Sequence, residues 1–313
     1  HNSLTRRRAV QAYQVLRARD ELTMRMGLLI NGDDKEMEDT WIAAGIKTGW
    51  GDEWIRCVGI EWCPDCSTSG RTAAYYEPYV GDAVPGEPVP NTGMLLYDAD
   101  DLNARAIRAH KAGLRICIEG VGDRGIDFAL DAIEAALKAH PKEDHRSRVE
   151  HCCYVTPELI QRLKKLGVTD SSATGFMVEL GDAYIANRGE AAMAHMWPHR
   201  SLIDAGVPAP GHSDANVCSV NPWPVFDALV NRRTDSDQSL DRSQAITVTE
   251  ALRTYTTLGA WTGFEEDIKG DLSVGKVADF AILEDDPWAI APEALREMRV
   301  RETIVGGRTV YQR

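Results

Sequence analysis

The sequence lacks long apolar runs and has no excess of positive charge. It contains no stretch of 18 consecutive apolar residues, which is about the length that an α-helix needs to cross a bilayer. Lysine and arginine total 35 residues against 48 aspartates and glutamates, so the formal net charge is −13. Phosphate backbones and anionic lipids are bound by basic surfaces, so this balance argues against nucleic-acid and membrane partners. With 43% hydrophobic and 27% charged residues, the composition is that of a globular protein.

Cysteine is present but is not arranged as a disulfide framework. The chain has seven cysteines, an odd number, at irregular spacings. This favours a reducing compartment, and we expect the protein to be cytoplasmic. Cys63 and Cys66 form a single Cys-x-x-Cys pair with no second pair at zinc-ribbon spacing, so we interpret them as loop or strand-end residues.

The middle of the chain alternates short apolar runs with helical patterns, which is typical of parallel β-α-β units. One helix is bounded by Thr156-Pro157 and Gly167, and another opens on a capping box formed by Thr247 and Glu250. The repeated units exceed what a small doubly wound sheet needs and fall short of a complete (β/α)8 barrel. We predict parallel strands at 24–30, 55–60, 114–119, 147–152, 168–173 and 208–213.

The pattern changes after Thr262. Residues 269–283 and 301–311 are β-rich and glycine-punctuated, and Gly306-Gly307 suits a hairpin turn. We therefore expect a small separate β-layer there. Residues 80–96 are rich in proline and glycine, which predicts a long loop and a candidate lid.

Ionisable residues lie at or just after the C-terminal ends of four of the predicted strands. They are Glu61, Glu119, His151 and Asp214. In a parallel barrel these strand ends form the floor of the active site. A carboxylate or imidazole buried there needs a partner, and a divalent metal such as zinc binds these donors. Taken singly, each residue could instead be a hydrogen-bonded core histidine or a helix-capping carboxylate.

Several longer stretches resemble one known family over most of the chain. The sequence GDLSVGKVAD at 270–279 is the most specific of them, and RETIVGGRTVYQ follows at 301–312. The others are VGDRGIDFALDAIEAAL, RSRVEHCCYVTPELIQRLKKLGV, SLIDAGVPAPGHSDANVCSVNPWPVFDALVNR and TVTEALRTYTTLGAW. They are similar to the amidohydrolase-3 branch of the amidohydrolase superfamily, which includes N-substituted formamide deformylase. The resemblance implies a (β/α)8 TIM barrel at 1–262, with strands three to eight present, and part of a β-sandwich at 263–313.

The same resemblance implies a metal-dependent hydrolase that cleaves an amide or related C–N bond of a small organic substrate. His151 matches the metal-binding histidine of strand six. Asp214, in Gly-His-Ser-Asp, matches the strand-eight aspartate that carries a proton from the activated water to the leaving amine. Arg71, in the loop GRTAAYYEPY, and His212 are the implied substrate-binding residues.

The chain also departs from the family pattern. Glu61 stands where the branch has a lysine, and Glu119 stands where it has a histidine. A glutamate can replace a carboxylated lysine because both present a bridging carboxylate. Zinc is the expected metal, although two oxygen ligands shift the preference toward manganese or magnesium. No His-x-His motif is present, so we expect an N-terminal segment or a complementing chain to complete the barrel; a homodimer is compatible with the sequence.

Two alternatives remain open from the sequence. One is a barrel that keeps the fold but has an altered metal site and only binds its ligand. The other is a hydrolase that uses Cys152 or Cys153 as nucleophile with His151 as its base. Cys153 would share the His151 side of an extended strand, whereas Cys152 would face the opposite side.

Overall fold

Two β-sheets organise the chain in a computed structural model that describes residues 1–313. Six parallel strands form the larger sheet and three antiparallel strands form the smaller one. The strands are β1 Asn2–Thr5, β2 Met26–Asn31, β3 Ile55–Trp62, β4 Ile116–Gly120, β5 Arg148–His151, β6 Thr169–Ser172, β7 Phe280–Leu283, β8 Val300–Val305 and β9 Arg308–Gln312.

Eleven α-helices connect or cover these strands. They are α1 Arg7–Ala18, α2 Lys35–Ala43, α3 Ala99–Lys111, α4 Asp123–Ala139, α5 Pro157–Leu166, α6 Gly175–Glu179, α7 Gly181–Arg188, α8 His199–Ala205, α9 Trp223–Asn231, α10 Val248–Tyr255 and α11 Thr257–Trp261. Short 3-10 turns lie at Glu190–Ala194, Arg242–Gln244 and Pro292–Glu297. No helix has both the length and the apolar character that a membrane span would need.

The parallel strands lie side by side in the same order as in the sequence, from β1 to β6. Right-handed crossovers in such a singly wound sheet place the connecting helices on one face. A cluster of 29 buried residues fills the space between that face and the helices. Ile60, Ile116 and Val149 belong to this cluster, so alternation directs Glu61 and Glu150 to the opposite face.

Five of the six predicted parallel strands are confirmed within about two residues. The sixth, at 208–213, is not a regular strand. Its Gly211 makes a single parallel bridge to Ser172 at the edge of β6. Pro208 and Pro210 accept hydrogen bonds from Asp170 and Ser172, at 3.0 and 2.9 Å, but have no N–H to donate in return.

The structure adds a strand that the sequence did not predict, β1, which pairs in parallel with β2. Its sequence, Asn-Ser-Leu-Thr, is short and mostly polar and so carries no strand signal.

The predicted helix boundaries are confirmed at two places. Thr156 Oγ1 accepts a hydrogen bond from Leu159 N, and Gly167 ends α5 with a left-handed φ of 68°. Thr247 and Glu250 make both bonds of the capping box that begins α10. The predicted loop is also confirmed, since residues 80–96 contain no helix or strand.

The predicted hairpin forms in the small sheet. Gly306 and Gly307 turn β8 into β9 with φ values of 59° and 75°, which glycine adopts without strain. Asp279, just before β7, accepts hydrogen bonds from Gly306 N at 2.8 Å and from Arg25 Nε at 2.6 Å. The segment between β7 and β8 packs against the rest of the chain. The buried side chain of Leu295 belongs to a second cluster of 23 buried residues, which also contains Tyr184 and Trp197.

Candidate active site

His151 and Asp214 form the centre of the candidate site. Nε2 of His151 lies 3.1 Å from Oδ2 of Asp214, at the end of β5 and just beyond the 208–213 segment. Both residues have left-handed backbones, with φ values of 70° and 51°. Strict alternation would place His151 on the same face as Val149. The left-handed conformation ends that alternation and lets the imidazole meet Asp214, and such strained residues cluster at functional sites.

Glu119, on β4, flanks the other side of the imidazole. Its Oε1 lies 3.9 Å from Nδ1 of His151, and that nitrogen is buried with no hydrogen-bond partner. Burial lowers the pKa of His151, but the carboxylates of Glu119 and Asp214 outweigh it and raise this pKa to about 10. Burial raises the pKa of Asp214, but the hydrogen bond from His151 outweighs it and the net shift is downward.

Glu61 lies near the end of β3 but is held by a different partner. Its Oε2 accepts hydrogen bonds from Ser3 Oγ at 2.7 Å and from Leu4 N at 3.1 Å. Burial and the neighbouring carboxylate of Glu150 raise the pKa of Glu61 to about 8. Glu150 itself is paired with Arg148 at 2.6 Å, which keeps the pKa of Glu150 low despite its burial.

Three of the four predicted metal ligands lie near one another, and the fourth, Glu61, is bonded elsewhere. His151 contacts Asp214 closely and Glu119 at a longer distance, while the hydrogen bonds of Glu61 go to β1. No three His, Cys, Asp or Glu side chains form a ready cluster for a metal ion.

The two predicted substrate-binding residues occupy different surroundings. His212 packs edge-on against His151 with ring centroids 5.2 Å apart, and its Nε2 is 3.0 Å from Ser171 O. Burial, aided by the His151 charge, lowers the pKa of His212 to about 4, so this ring is neutral at pH 7. The guanidinium of Arg71 instead contacts Glu87 at 2.5 Å and Val80 O at 2.8 Å, which ties it to the 80–96 loop.

The cysteine hypothesis receives no support from the geometry. Cys152 and Cys153 are fully buried, and burial raises the pKa of both thiols well above the usual range. A nucleophilic cysteine needs an accessible thiolate, which neither position offers.

Asp65 is a site residue that the sequence reasoning missed. Its carboxylate accepts hydrogen bonds from four backbone N–H groups: Cys66 at 2.8 Å, Ala74 at 2.7 Å, Val121 at 2.7 Å and Gly122 at 3.0 Å. It joins the loop after β3 to the end of β4 and so fixes the segment that follows Glu119. Within the sequence it stood out only as an interior residue of the Cys-x-x-Cys pair.

Asp33 was also missed, although it follows β2 as the predicted ligands follow later strands. Its Oδ1 accepts hydrogen bonds from Cys63 N at 3.1 Å and Tyr97 OH at 2.7 Å. Its place after a strand was the signal that could have identified it.

Comparison with known proteins assigns the chain that carries this site to a family. A family model described as the Amidohydrolase family matches residues 2–311. The chain belongs to the amidohydrolase family. The match covers the parallel sheet, the candidate site and the small antiparallel sheet together.

Curated relatives agree with this assignment. The chain is 27% identical over 308 residues to the putative amidohydrolase YtcJ of Bacillus subtilis, covering 97% of this chain and 55% of that protein. It is 31% identical over 224 residues to N-substituted formamide deformylase of Arthrobacter pascens, covering 71% of this chain and 41% of that protein. The chain spans about half the length of the curated relatives that it matches.

Solved structures share the fold of this chain. An uncharacterized metal-dependent hydrolase from Pyrococcus horikoshii superposes with a TM-score of 0.79 at 24% identity, covering 93% of this chain and 56% of that chain. A second one, from Pyrococcus furiosus, gives 0.72 at 24% identity, covering 88% of this chain and 53% of that chain. At these identities the likeness concerns the fold alone.

Proposed function

We propose that this chain belongs to an enzyme that hydrolyses an amide or related C–N bond of a small organic substrate. The observation that carries the proposal is the His151–Asp214 pair, flanked by Glu119, at the carboxyl edge of a parallel sheet. Ligand sites of parallel α/β folds lie at this edge. Family membership supports the reaction class, and the deformylase relative suggests N-substituted formamides as a first substrate class to test.

The proposal includes a (β/α)8 barrel with a small β-sandwich beside it. Six parallel strands and the 208–213 segment lie in sequential order, so one more strand between that segment and β1 would complete eight. The half-length coverage of the relatives supports completion by residues outside this chain. The antiparallel sheet at 280–312 would be part of the sandwich.

A divalent metal is the cofactor that the family implies, and the donor set fits it chemically. One imidazole and several carboxylates are ligands that zinc accepts, and manganese or magnesium would accept the oxygens. The buried Nδ1 of His151 has no partner, and a buried polar atom without one calls for a ligand. Glu119, His151 and Asp214 would hold the ion, with Glu61 on the β1 side. When bound, it would supply Lewis-acid polarisation of the substrate carbonyl and acidify water at the site.

The protein's own residues would then divide the proton chemistry. Asp214 takes the proton of the attacking water and delivers it to the leaving nitrogen. The hydrogen bond from His151 lowers the pKa of this aspartate, and a bound cation would favour the same ionised carboxylate, which is the form that accepts a proton. The neutral ring of His212 lies beside this pair and is placed to orient the substrate. Arg71 would act on the substrate by holding the 80–96 loop in position.

The test uses the full-length enzyme that contains this chain. Its bound metal is measured by inductively coupled plasma mass spectrometry, and hydrolysis is assayed with N-substituted formamides, acetamides and carbamates. Bound metal together with chelator-sensitive release of the amine supports the proposal. Bound metal without turnover of any C–N substrate contradicts the assigned reaction.

One observation favours a second candidate, a barrel of the same fold that binds its ligand without hydrolysing it. Glu61 is committed to Ser3 and Leu4, and the ligands are not gathered into a cluster of three. The same experiment separates the two candidates, because a binding-only protein purifies without stoichiometric metal and shows no turnover.

A further inference from the structure

Arg115 carries a positive charge into the interior of the protein, at the end of the parallel sheet opposite to the candidate active site. It immediately precedes β4 and is only 2% exposed. The two isoleucines of β4 belong to the cluster of 29 buried residues, so alternation places Arg115 and Glu119 together on the other face. The two residues lie about 13 Å apart along the strand, at ~3.3 Å per residue, so Arg115 is separate from the candidate site.

The guanidinium of Arg115 has only part of its hydrogen-bonding capacity satisfied. Nη1 donates to Thr262 O, and Cζ lies 5.4 Å from the centroid of the Phe264 ring. Nε and Nη2 are buried and have no hydrogen-bond partner, and the buried hydroxyl of Thr262 has none either. Nε and Nη2 together form the edge of a guanidinium that binds a carboxylate through two parallel hydrogen bonds.

Arg232 shows that this chain can bury a guanidinium against neutral acceptors alone. It is 1% exposed, and its three nitrogens all donate to backbone carbonyls, among them Trp197 O at 3.1 Å and Met196 O at 2.9 Å. At Arg115 a carbonyl reaches only Nη1. Because buried polar atoms are almost always paired, the Nε–Nη2 edge of Arg115 calls for an acceptor of its own.

Arg115 also lacks the carboxylate partner that the other buried arginines at this end of the sheet have. Arg148 pairs with Glu150 at 2.6 Å, and Arg146 pairs with Glu266 at 2.7 Å. Burial, aided by the charge of Arg148, lowers the pKa of Arg115 to about 10, which leaves the group protonated at pH 7. A buried cation without a counter-charge is strongly unfavourable, so a bound anion would stabilise the protein.

We propose that the Nε–Nη2 edge of Arg115 is an anion site that binds a carboxylate from outside this chain. Two sources share this chemistry: a free small carboxylate such as acetate, and an acidic side chain of the residues that complete the barrel. The second source rests on the barrel completion proposed above. The unpaired hydroxyl belongs to the same Thr262 that accepts from Nη1, so it is a further donor close to the anion. The site goes beyond hydrolysis, because its ligand stabilises the enzyme and does not meet the substrate.

The experiment compares the full-length wild type with Arg115→Met, in which an apolar side chain replaces the charge and the unpaired donors. Tm is measured as sodium acetate is raised to about 100 mM, with the bulky sulfonate of HEPES keeping the ionic strength constant. Arg299→Met is the matched control, because it makes the same change of charge at an exposed arginine. Crystals of the full-length enzyme, grown without carboxylates and then soaked in acetate, identify the group at the edge.

The two sources give different results. With a free carboxylate, acetate should raise Tm by about 3 °C or more in the wild type and in Arg299→Met, and should leave Tm of Arg115→Met unchanged. With a side-chain carboxylate, the unsoaked crystal should show its oxygens about 3 Å from Nε and Nη2, and acetate should not change Tm. Arg115→Met should then melt below Arg299→Met, because the buried carboxylate loses its counter-charge.

Other outcomes overturn the proposal and leave the proposed hydrolase to its own metal and activity tests. Water, a carbonyl or Glu266 at the edge overturns it if acetate changes no Tm. Acetate that is seen only in the soaked crystal, with no rise of Tm that depends on Arg115, is binding at crystal concentration only and also overturns it. If Arg115→Met does not fold, Arg115→Lys replaces it: lysine keeps the charge but lacks the two-donor edge, so the acetate response should need about 10-fold more acetate. An undiminished response in Arg115→Lys would exclude the edge as the binding site.

Discussion

Nε2 of His151 meets Oδ2 of Asp214 at 3.1 Å, joining the end of β5 to the end of the 208–213 segment across the intervening strand β6. The contact needs left-handed backbone at both residues, which the surrounding core must stabilise. The hydrogen bond from His151 lowers the pKa of Asp214, and an ionised carboxylate is the state that a proton acceptor requires.

The first prediction concerns Asp214→Asn. Asparagine has the same shape but cannot take up a proton, so kcat of the full-length enzyme should fall by ~10²-fold or more. Steady-state kinetics with the best amide substrate would measure this, alongside thermal melting. Asp285→Asn, at an exposed aspartate without a side-chain partner, is the control and should leave kcat unchanged. A folded Asp214→Asn enzyme with near-normal kcat would place the base elsewhere, with Glu119 as the first candidate.

The second prediction concerns Asp65→Asn. The amide cannot accept all four backbone hydrogen bonds, because its NH2 group must face N–H donors. The free energy of unfolding should fall by about 3 kcal/mol, measured by urea denaturation. The same change at Asp98, the N-cap of α3, should be nearly neutral since asparagine caps helices equally well. Equal stability of the two variants would refute the structural role of Asp65.

The third prediction concerns Gly125, whose Cα packs against the carboxylate of Asp65. An alanine Cβ at position 125 would lie 1.9 Å from Oδ2 of Asp65, closer than any atoms can approach. Gly125→Ala should therefore destabilise the protein by about 3 kcal/mol or prevent its folding. Gly259→Ala is the control, because its Cβ meets nothing closer than 3.9 Å and alanine favours the helix α11. A Gly125→Ala protein as stable as the Gly259→Ala protein would contradict the close packing.

The fourth prediction concerns acid stability and His199. This residue is fully buried, and burial lowers its pKa from an ordinary value of 6.5 to about 4. The unfolded chain therefore binds a proton at His199 below pH 6.5 while the folded protein does not, so stability falls as the pH is lowered. Between pH 7 and pH 5 this residue should cost roughly 2 kcal/mol.

His199→Gln removes that titration and should lose roughly 2 kcal/mol less than the wild type over the same pH range, measured by urea denaturation. Comparing the two proteins separates His199 from the other buried histidines. Parallel pH profiles for wild type and variant would show that His199 does not titrate on unfolding.

Much of the fold follows from local patterns in the sequence. Apolar runs separated by capped helices predict β2 to β6, and their parallel order follows from the alternation with helices. The exceptions have physical causes that a pattern does not display. β1 is short and polar and is stabilised by its neighbour β2, while the prolines at 208 and 210 limit the last segment to a single bridge.

The sequence predicts where the candidate site lies better than it predicts which side chains contact each other there. Position at the C-terminal end of a strand or segment identifies His151, Glu119 and Asp214, but the contact between His151 and Asp214 depends on left-handed backbone angles at both residues. The partners of Glu61 lie 57 and 58 residues earlier in the chain, beyond the reach of any local pattern. Arg71 likewise finds Glu87 across a loop whose path only the folded structure defines.

The four backbone hydrogen bonds of Asp65 hold the main chain of the site in place independently of the side chains that would do its chemistry. The carboxylate fixes the end of β4 through main-chain atoms, so the position of residue 119 does not depend on which side chain stands there. A change of side chain at position 119 can then alter the chemistry of the site without disturbing the scaffold. Variants at 119 should therefore be easier to recover as folded protein than variants at 65.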